Sequence, residues 1–170
     1  MSDTPTPLYT AGQSGQSSLR DPVQIDAKSN HSASLRRYWS ETTRHQALPI
    51  LGRLGAIGDD RTSIIAALYA VHPSHAEGSG IGRAALRLGD RKDGDHPYDR
   101  HFRRLLACTD LDDLAPQLHR LVKRLSREGI PLDYAKLLKE LRFWSTGHAE
   151  NVKTSWAKEF WQAPADLLTP

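Results

Sequence analysis

The stretch HFRRLLACTDLDDLAPQLHRLVKRLSREGIPLDYAKLLKELRFW (residues 101–144), followed by VKTSWAKEFW at 152–161, decides the fold. At about 100° per residue, Leu114, Leu118, Leu121, Val122 and Leu125 fall on one face of a helix. Arg120, Lys123, Arg124 and Arg127 fall on the opposite face. In the preceding helix Tyr98, Phe102, Leu105 and Leu106 form the stripe, with Arg100, His101, Arg103 and Arg104 around the other sides. The following helix turns Tyr134, Leu137, Leu138, Leu141 and Trp144 inward and Lys136, Lys139 and Arg142 outward. In the last, Val152, Trp156 and Phe160 align away from Lys153 and Lys158, while Trp161 lies off the stripe, over a neighbouring helix or a partner. Helical periodicity recurs and strand-like alternation is absent, so the chain is predicted to be all-α, a compact multi-helix bundle.

Thr109 and Asp112 have the spacing of a capping box. Pro116 then either kinks the helix or moves its regular start to near Ala115, where a first-turn proline is tolerated. Gly129 suits a left-handed cap and Pro131 bars continuation, so REGIPLD is a short connector, after which Asp133 caps the next helix. That helix is expected to end before Phe143 and turn its ring into the core. If it runs further, Phe143 sits beside Lys136 and Lys139, placed to stack on a base or meet a partner.

The order and spacing of FRRLLAC, an acid-started helix ending in LVKRL, REGIPLDYAKLLKEL, the FW pair and WAKEFW resemble the small subunit of the type I-E CRISPR surveillance complex, the CasB family. The resemblance covers about 60 residues of the C-terminal half. It implies an α-helical, non-catalytic subunit in a guide-RNA complex, forming a head-to-tail homodimer and touching the backbone and large subunits. It also implies contact with target DNA, chiefly the displaced non-target strand, which stabilises the R-loop in antiviral defence.

The charge distribution agrees with a polyanion partner. The net charge of +3 is uneven: Lys and Arg against Asp and Glu number 2 and 3 in residues 1–33, 9 and 8 in 34–99, and 12 and 8 in 100–161. Such an excess bears on anion binding and not on fold. A solvated surface, or cations placed at a helix C-terminus to complement its dipole, explains the Arg120–Arg127 cluster equally well. The candidate nucleic-acid contacts are Arg120, Lys123, Arg124, Arg127, Lys136, Lys139 and Arg142, then Arg103, Arg104, Lys153 and Lys158, with Arg36, Arg37, Arg83 and Arg87 behind them.

Residues 1–32, rich in Ser, Thr, Gln, Gly and Pro, bury too little to offset the entropy of ordering and are expected to form a disordered tail. Residues 33–162 form the helical domain, with N-terminal helices and loops over 33–95 and a C-terminal bundle over 96–162; 163–170 form a second tail. The first helix begins near Ser34 and carries Leu35, Tyr38, Trp39 and Thr42. Pro49 and three nearby glycines, Gly52, Gly55 and Gly58, allow a short element holding Leu48, Leu51 and Leu54. Asp60 or Thr62 caps SIIAALYAV, which is apolar almost all round and so the expected buried helix of this half. HPSHAEGSG and DRKDGDHPYD read as loops around a helical turn or two at IGRAALRLG.

Other chemistries find less support. His72 with His75, or His96 with His101, lack the four convergent donors of a zinc site, and Asp90, Asp93 and Asp95 lack the order of a calcium loop. Cys108 lies beside an apolar stripe, where a thiol is inert, and no nucleophile, phosphate-loop or metalloprotease motif is present, so neither enzyme activity nor a cofactor is expected. The rivals to a nucleoprotein subunit are a helical protein-protein adaptor using Phe143 and Trp161, and a metal-dependent helical hydrolase. One cysteine, no run of about 18 apolar residues, and an N-terminus without signal-peptide character point to a cytoplasmic protein with no membrane partner.

Overall fold

The computed structural model of the chain describes residues 30–89 and 95–162. Most of the assigned N-terminal tail, the loop carboxylates Asp90 and Asp93, and the C-terminal tail therefore lie outside the described residues. The described chain is helical: α1 (Asn30–Arg36), α2 (Leu48–Arg53), α3 (Asp60–Val71), α4 (Ile81–Leu86), α5 (Asp99–Leu106), α6 (Leu111–Glu128), α7 (Tyr134–Phe143) and α8 (Ala149–Trp161). Two 3₁₀ turns, Arg37–Trp39 and Arg44–Ala47, join α1 to α2. No helix among the described residues is long and apolar enough to cross a membrane.

The centre of the fold is α3. Every residue from Thr62 to Ala70 is buried, and α1, α6 and α7 pack around it. Its start is set by Asp59, one residue before the earlier of the two expected caps. The Asp59 Oδ1 accepts from the backbone N–H of Arg61 and Thr62, and its Oδ2 from the Thr62 hydroxyl at 2.6 Å. Asp60 therefore lies inside the helix.

The first helix also begins earlier than expected, at Asn30 rather than Ser34. Leu35 and Tyr38 are buried, but Thr42 is exposed, because the helix yields to a 3₁₀ turn and Ser40 is extended. In α2, Pro49 sits in the first turn and Leu51 is buried, whereas Leu48 faces solvent.

Helix α6 starts at Leu111 and runs through Pro116. Its cap is Asp110, not Thr109: the carboxylate accepts from the Asp113 N–H at 2.9 Å. With the end capped upstream, Pro116 forfeits one bond to the Asp112 carbonyl, and both residues are exposed, so water can replace it. At the other end Gly129 takes φ of +66°, and the Ile130 N–H reaches the Leu125 carbonyl at 2.9 Å. This closes the helix as expected.

The loop at 72–80 lies against the connector at 130–134. Leu132 N–H donates to the Ser74 carbonyl, Ala76 N–H to that of Leu132, and Asp133 N–H to that of Ser79. Side chains add to this clasp. The buried His72 Nε2 lies 2.7 Å from the Ile130 carbonyl, the Tyr134 hydroxyl donates to the His72 carbonyl, and the Ser79 hydroxyl to that of Pro131. Asp133 both caps α7 at the Lys136 N–H and accepts from the Gly78 N–H.

The last layer is α4 against α8. Gly82 N–H donates to a Glu159 carboxylate oxygen, and a Cβ at Gly82 would fall 2.4 Å from the Trp156 carbonyl. Only glycine lets the helices approach this closely. Phe102 of α5 stacks on Phe160 of α8, ring centroids 4.2 Å apart, and Trp161 covers Phe102 edge-on. The α7 helix runs to Phe143, then passes through a wider turn at Trp144–His148, with Gly147 at φ of +86°, into α8. Phe143 is consequently exposed rather than turned into the core.

Candidate nucleic-acid interface

The stripe of α6 is fully buried while Arg120, Lys123, Arg124 and Arg127 are exposed. On α5, Phe102 and Leu105 enter the core and leave Arg100, His101, Arg103 and Arg104 outside. Tyr98, at the start of α5, joins the two surfaces. The Arg124 guanidinium lies over its ring at 5.4 Å, and its ring stacks against His101 at 5.2 Å. Burial pushes the Tyr98 hydroxyl up to about 12, against the opposing pull of Arg124 and Arg120.

His101 reports the convergence of the two helices. Desolvation and then the positive fields of Arg124, Arg104, Arg100 and Arg120 hold its imidazole below the usual histidine range. Four guanidinium groups from two helices thus act on one exposed ring. None of the four forms an ion pair with an acid among the described residues. Mutual repulsion without a neutralising carboxylate is the condition in which a polyanion binds well.

Further along α6 the basic surface reaches a second aromatic pair. Trp39 stacks on His119 at 4.3 Å, nearly parallel, with Lys123 and Arg120 nearby. Burial, then those two cations, lower His119 to about 4.

The remaining candidates are placed differently. Arg103 pairs with Asp99 at 2.6 Å and lies over Trp161, so its charge is largely neutralised within α5. Lys136 is drawn against α8, where it pairs with Glu159 and lies 3.7 Å from Glu140. It does not face outward as its helical position suggested. Lys153 is held by Glu150 at 3.1 Å and over the Trp144 ring. Lys139 and Lys158 are exposed and Arg142 half-buried, each outside the α5–α6 cluster. Arg36 donates to the Ala70 carbonyl, and Arg37, Arg83 and Arg87 are exposed on α1, its extension and α4.

Two contributors, Arg100 and His101, were placed outside the apolar stripe by the sequence but were not among the candidate nucleic-acid contacts. Four-residue spacing carries the signal: Arg100 and Arg104 share one side of α5, while Asp99 and Arg103 pair on another. Of the histidines weighed as metal ligands, His72, His75 and His96 hold backbone instead, while His101 stacks on Tyr98. His96 Nε2 lies 2.8 Å from the Leu86 carbonyl and 2.9 Å from that of Gly89, while its Nδ1 accepts from the Tyr98 N–H; His75 Nδ1 accepts from Tyr134. No group of three or more His, Cys, Asp or Glu side chains among the described residues is placed to hold a metal ion. Cys108 is buried, and burial first, then Asp113, raises its thiol pKa.

Two titrating groups, the buried Glu140 and the half-buried His119, make stability depend on pH in opposite directions. Glu140 is pushed up to about 7, chiefly by burial, so the folded chain takes up its proton before the unfolded chain does. Acidification from about pH 7 toward 4.5 therefore favours folding through Glu140, and that contribution is lost as pH rises through 7. His119 binds its proton less readily when folded, so its contribution falls as pH drops through the ordinary histidine value of 6.5 toward 4. We predict that Glu140→Gln makes the chain lose stability on acidification across this window, whereas His119→Gln steepens the gain. Each change should be on the order of 1–2 kcal/mol after allowance for solvent screening. Urea midpoints measured against pH test both, and parallel profiles for the two variants would refute the assignment.

A family model for CRISPR-associated protein Cse2 matches residues 31–161. The chain is similar in structure to CasB from Thermobifida fusca, with 28% identity over 76% of this chain and 82% of that one and a TM-score of 0.62. It is also similar to a CRISPR-associated protein of the Cse2 family from Thermus thermophilus, with 25% identity over 85% and 94% of the two chains and a TM-score of 0.66. No curated protein sequence matches significantly.

Proposed function

The chain belongs to the Cse2 (CasB) family of CRISPR-associated proteins, and from that premise we propose that it is a non-catalytic subunit of a type I-E RNA-guided surveillance complex, holding the displaced non-target DNA strand on its α5–α6 surface. The observation that carries this reading is the unneutralised cluster of Arg100, Arg104, Arg120 and Arg124 around His101. Lys123 and Arg127 extend the same surface along α6. Cations at intervals along a rigid helix pair can follow the phosphates of a single strand regardless of sequence, and the exposed His101 and the half-buried Trp39–His119 pair place aromatic rings among them.

A modest contribution suffices for the task. Opening a DNA duplex against a guide RNA is a near-balanced exchange of base pairs, so protein contacts to the displaced strand shift it. The other assignments follow from the family reading: neighbours among the backbone and large subunits, a second copy of this chain in the complex, and work in the cytoplasm without a cofactor.

The test is the lifetime of the R-loop in a complex assembled with and without this chain, across a salt series. Omission should shorten the lifetime and flatten its salt dependence, because fewer cations then contact DNA. The displaced strand should also gain permanganate reactivity. Equal lifetimes and equal reactivity would exclude strand holding and leave the protein-adaptor role.

A further inference from the structure

Where α7 turns into α8 the surface opens into a hollow of about 350 Å³ lined by Glu140, Phe143, His148, Asn151, Val152 and Ser155. Phe143 forms one wall and is 56% exposed. Its ring meets His148 edge-on at 6.4 Å, and no ring among the described residues stacks parallel to it. The hydroxyls of the turn are taken up by its own backbone, Ser145 donating to the Leu141 carbonyl and Thr146 to that of Phe143. On α8, Asn151 and Ser155 stand one turn apart, an amide and a hydroxyl beside the apolar Val152.

The surroundings of the ring are basic. Lys139 lies four residues before Phe143 on α7 and three before Arg142, so it sits between the two on the helix surface. Lys139 is exposed, Arg142 half-buried, and neither pairs with an acid among the described residues. On α8, Glu150 is paired with Lys153 at 3.1 Å. Glu140 lies beneath the hollow, but its Oε2 is enclosed and its carboxyl rests against the Trp156 indole, so it offers no open acceptor. An exposed aromatic ring flanked by unpaired cations suits single-stranded nucleic acid, the ring stacking on a base and the cations following its phosphates. An apolar protein side chain would fill the hollow and leave Lys139 and Arg142 unmatched.

We propose that this hollow receives one nucleobase of the displaced DNA strand, stacked on Phe143, while Lys139 and Arg142 contact the neighbouring phosphates. The volume, near the lower end of ligand pockets, has room for a single planar base. Asn151 and Ser155 offer hydrogen bonds to its edge. The hollow also approaches the α5–α6 surface: the field of Lys153, next to Val152, reaches Cys108, whose thiol donates to the Arg104 carbonyl. The proposal rests on the strand-holding reading and adds to it a base site on a different pair of helices.

Two measurements test it. In the first, a photo-crosslinking benzoylphenylalanine replaces Phe143 in one complex and Lys123 in another, and each is irradiated on target DNA whose displaced strand is labelled. Position 143 should cross-link to one or two adjacent nucleotides of that strand. If position 123 reaches the strand while position 143 gives no cross-link, or reaches only guide RNA or protein, the base site is overturned and strand holding stands. If neither position reaches the strand, both readings fall. In the second, R-loop lifetimes are compared. Phe143→Ala should shorten the lifetime about fivefold, and Phe143→Trp should keep it. An abasic nucleotide at the cross-linked position should abolish the difference between Phe143→Ala and the parent chain. An equal effect of Phe143→Ala on intact and abasic strands overturns the stacking.

Discussion

Replacing Arg104, Arg120 and Arg124 together by glutamate should shorten the lifetime of the R-loop by about two orders of magnitude at low salt while leaving the chain folded. All three side chains are exposed, and all three act on His101. On the proposed reading, each reversal removes one phosphate contact and adds a repulsion. Three lost contacts should lower the steepness of the salt dependence by about 2 on the logarithmic scale for a single strand. The substitutions relieve repulsion within the cluster, so the unfolding free energy from urea titration should stay within about 0.5 kcal/mol of the parent chain. The conservative triple lysine variant keeps the charges and should retain most of the lifetime. An unchanged lifetime in the folded glutamate variant would remove this surface from the DNA path.

Phe102→Ala should have the largest effect on stability, about 4 kcal/mol. The ring is fully buried, stacks on Phe160 at 4.2 Å and is covered by Trp161, so its removal leaves a cavity bounded by two large rings. For a chain of this size the loss corresponds to a fall in Tm of roughly 10 °C. Phe102 is also the buried anchor of the helix carrying Arg100, His101 and Arg104. The variant should therefore weaken R-loop support even below its Tm, whereas Phe102→Leu should recover much of both. Thermal unfolding by circular dichroism, paired with R-loop lifetime, separates these effects. A change in Tm of less than about 3 °C would mean that α5 is held elsewhere.

Local rules made α6 legible. The spacing of Leu114, Leu118, Leu121, Val122 and Leu125 placed its buried face, Gly129 its end and Asp133 the following cap, because each depends on neighbours within a turn or two. The basic face was legible for the same reason. What escaped depends on other elements. Lys136 occupies an outward position by periodicity, yet Glu159, 23 residues away, draws it against α8. Arg103 and Arg104 are adjacent in sequence, but only Arg104 joins the field at His101, because the approach of α6 selects one side of α5. Phe143 was expected in the core because the helix was expected to stop short of it. A wider turn at Trp144–His148 carries the helical path on, so Trp144 stays buried while Phe143 faces outward. The two misplaced caps, Asp59 and Asp110, are one-residue errors among neighbouring residues that can all cap.

The burial of α3 on all sides also bears on how the chain is made. Of the helices that cover it, α1 precedes it in the chain, but α6 and α7 begin only at Leu111 and Tyr134. During synthesis from the N-terminus, a helix apolar around its whole circumference therefore leaves the ribosome long before its cover exists. The 72–80 loop likewise waits for the connector at 130–134 that takes up its hydrogen bonds. Nascent chains shorter than this should expose α3 to protease and to chaperones that bind apolar segments. In ribosome-arrested chains of increasing length, protection of α3 should arise only once Phe143 has cleared the exit tunnel. Earlier protection would show that α1 alone suffices to cover it.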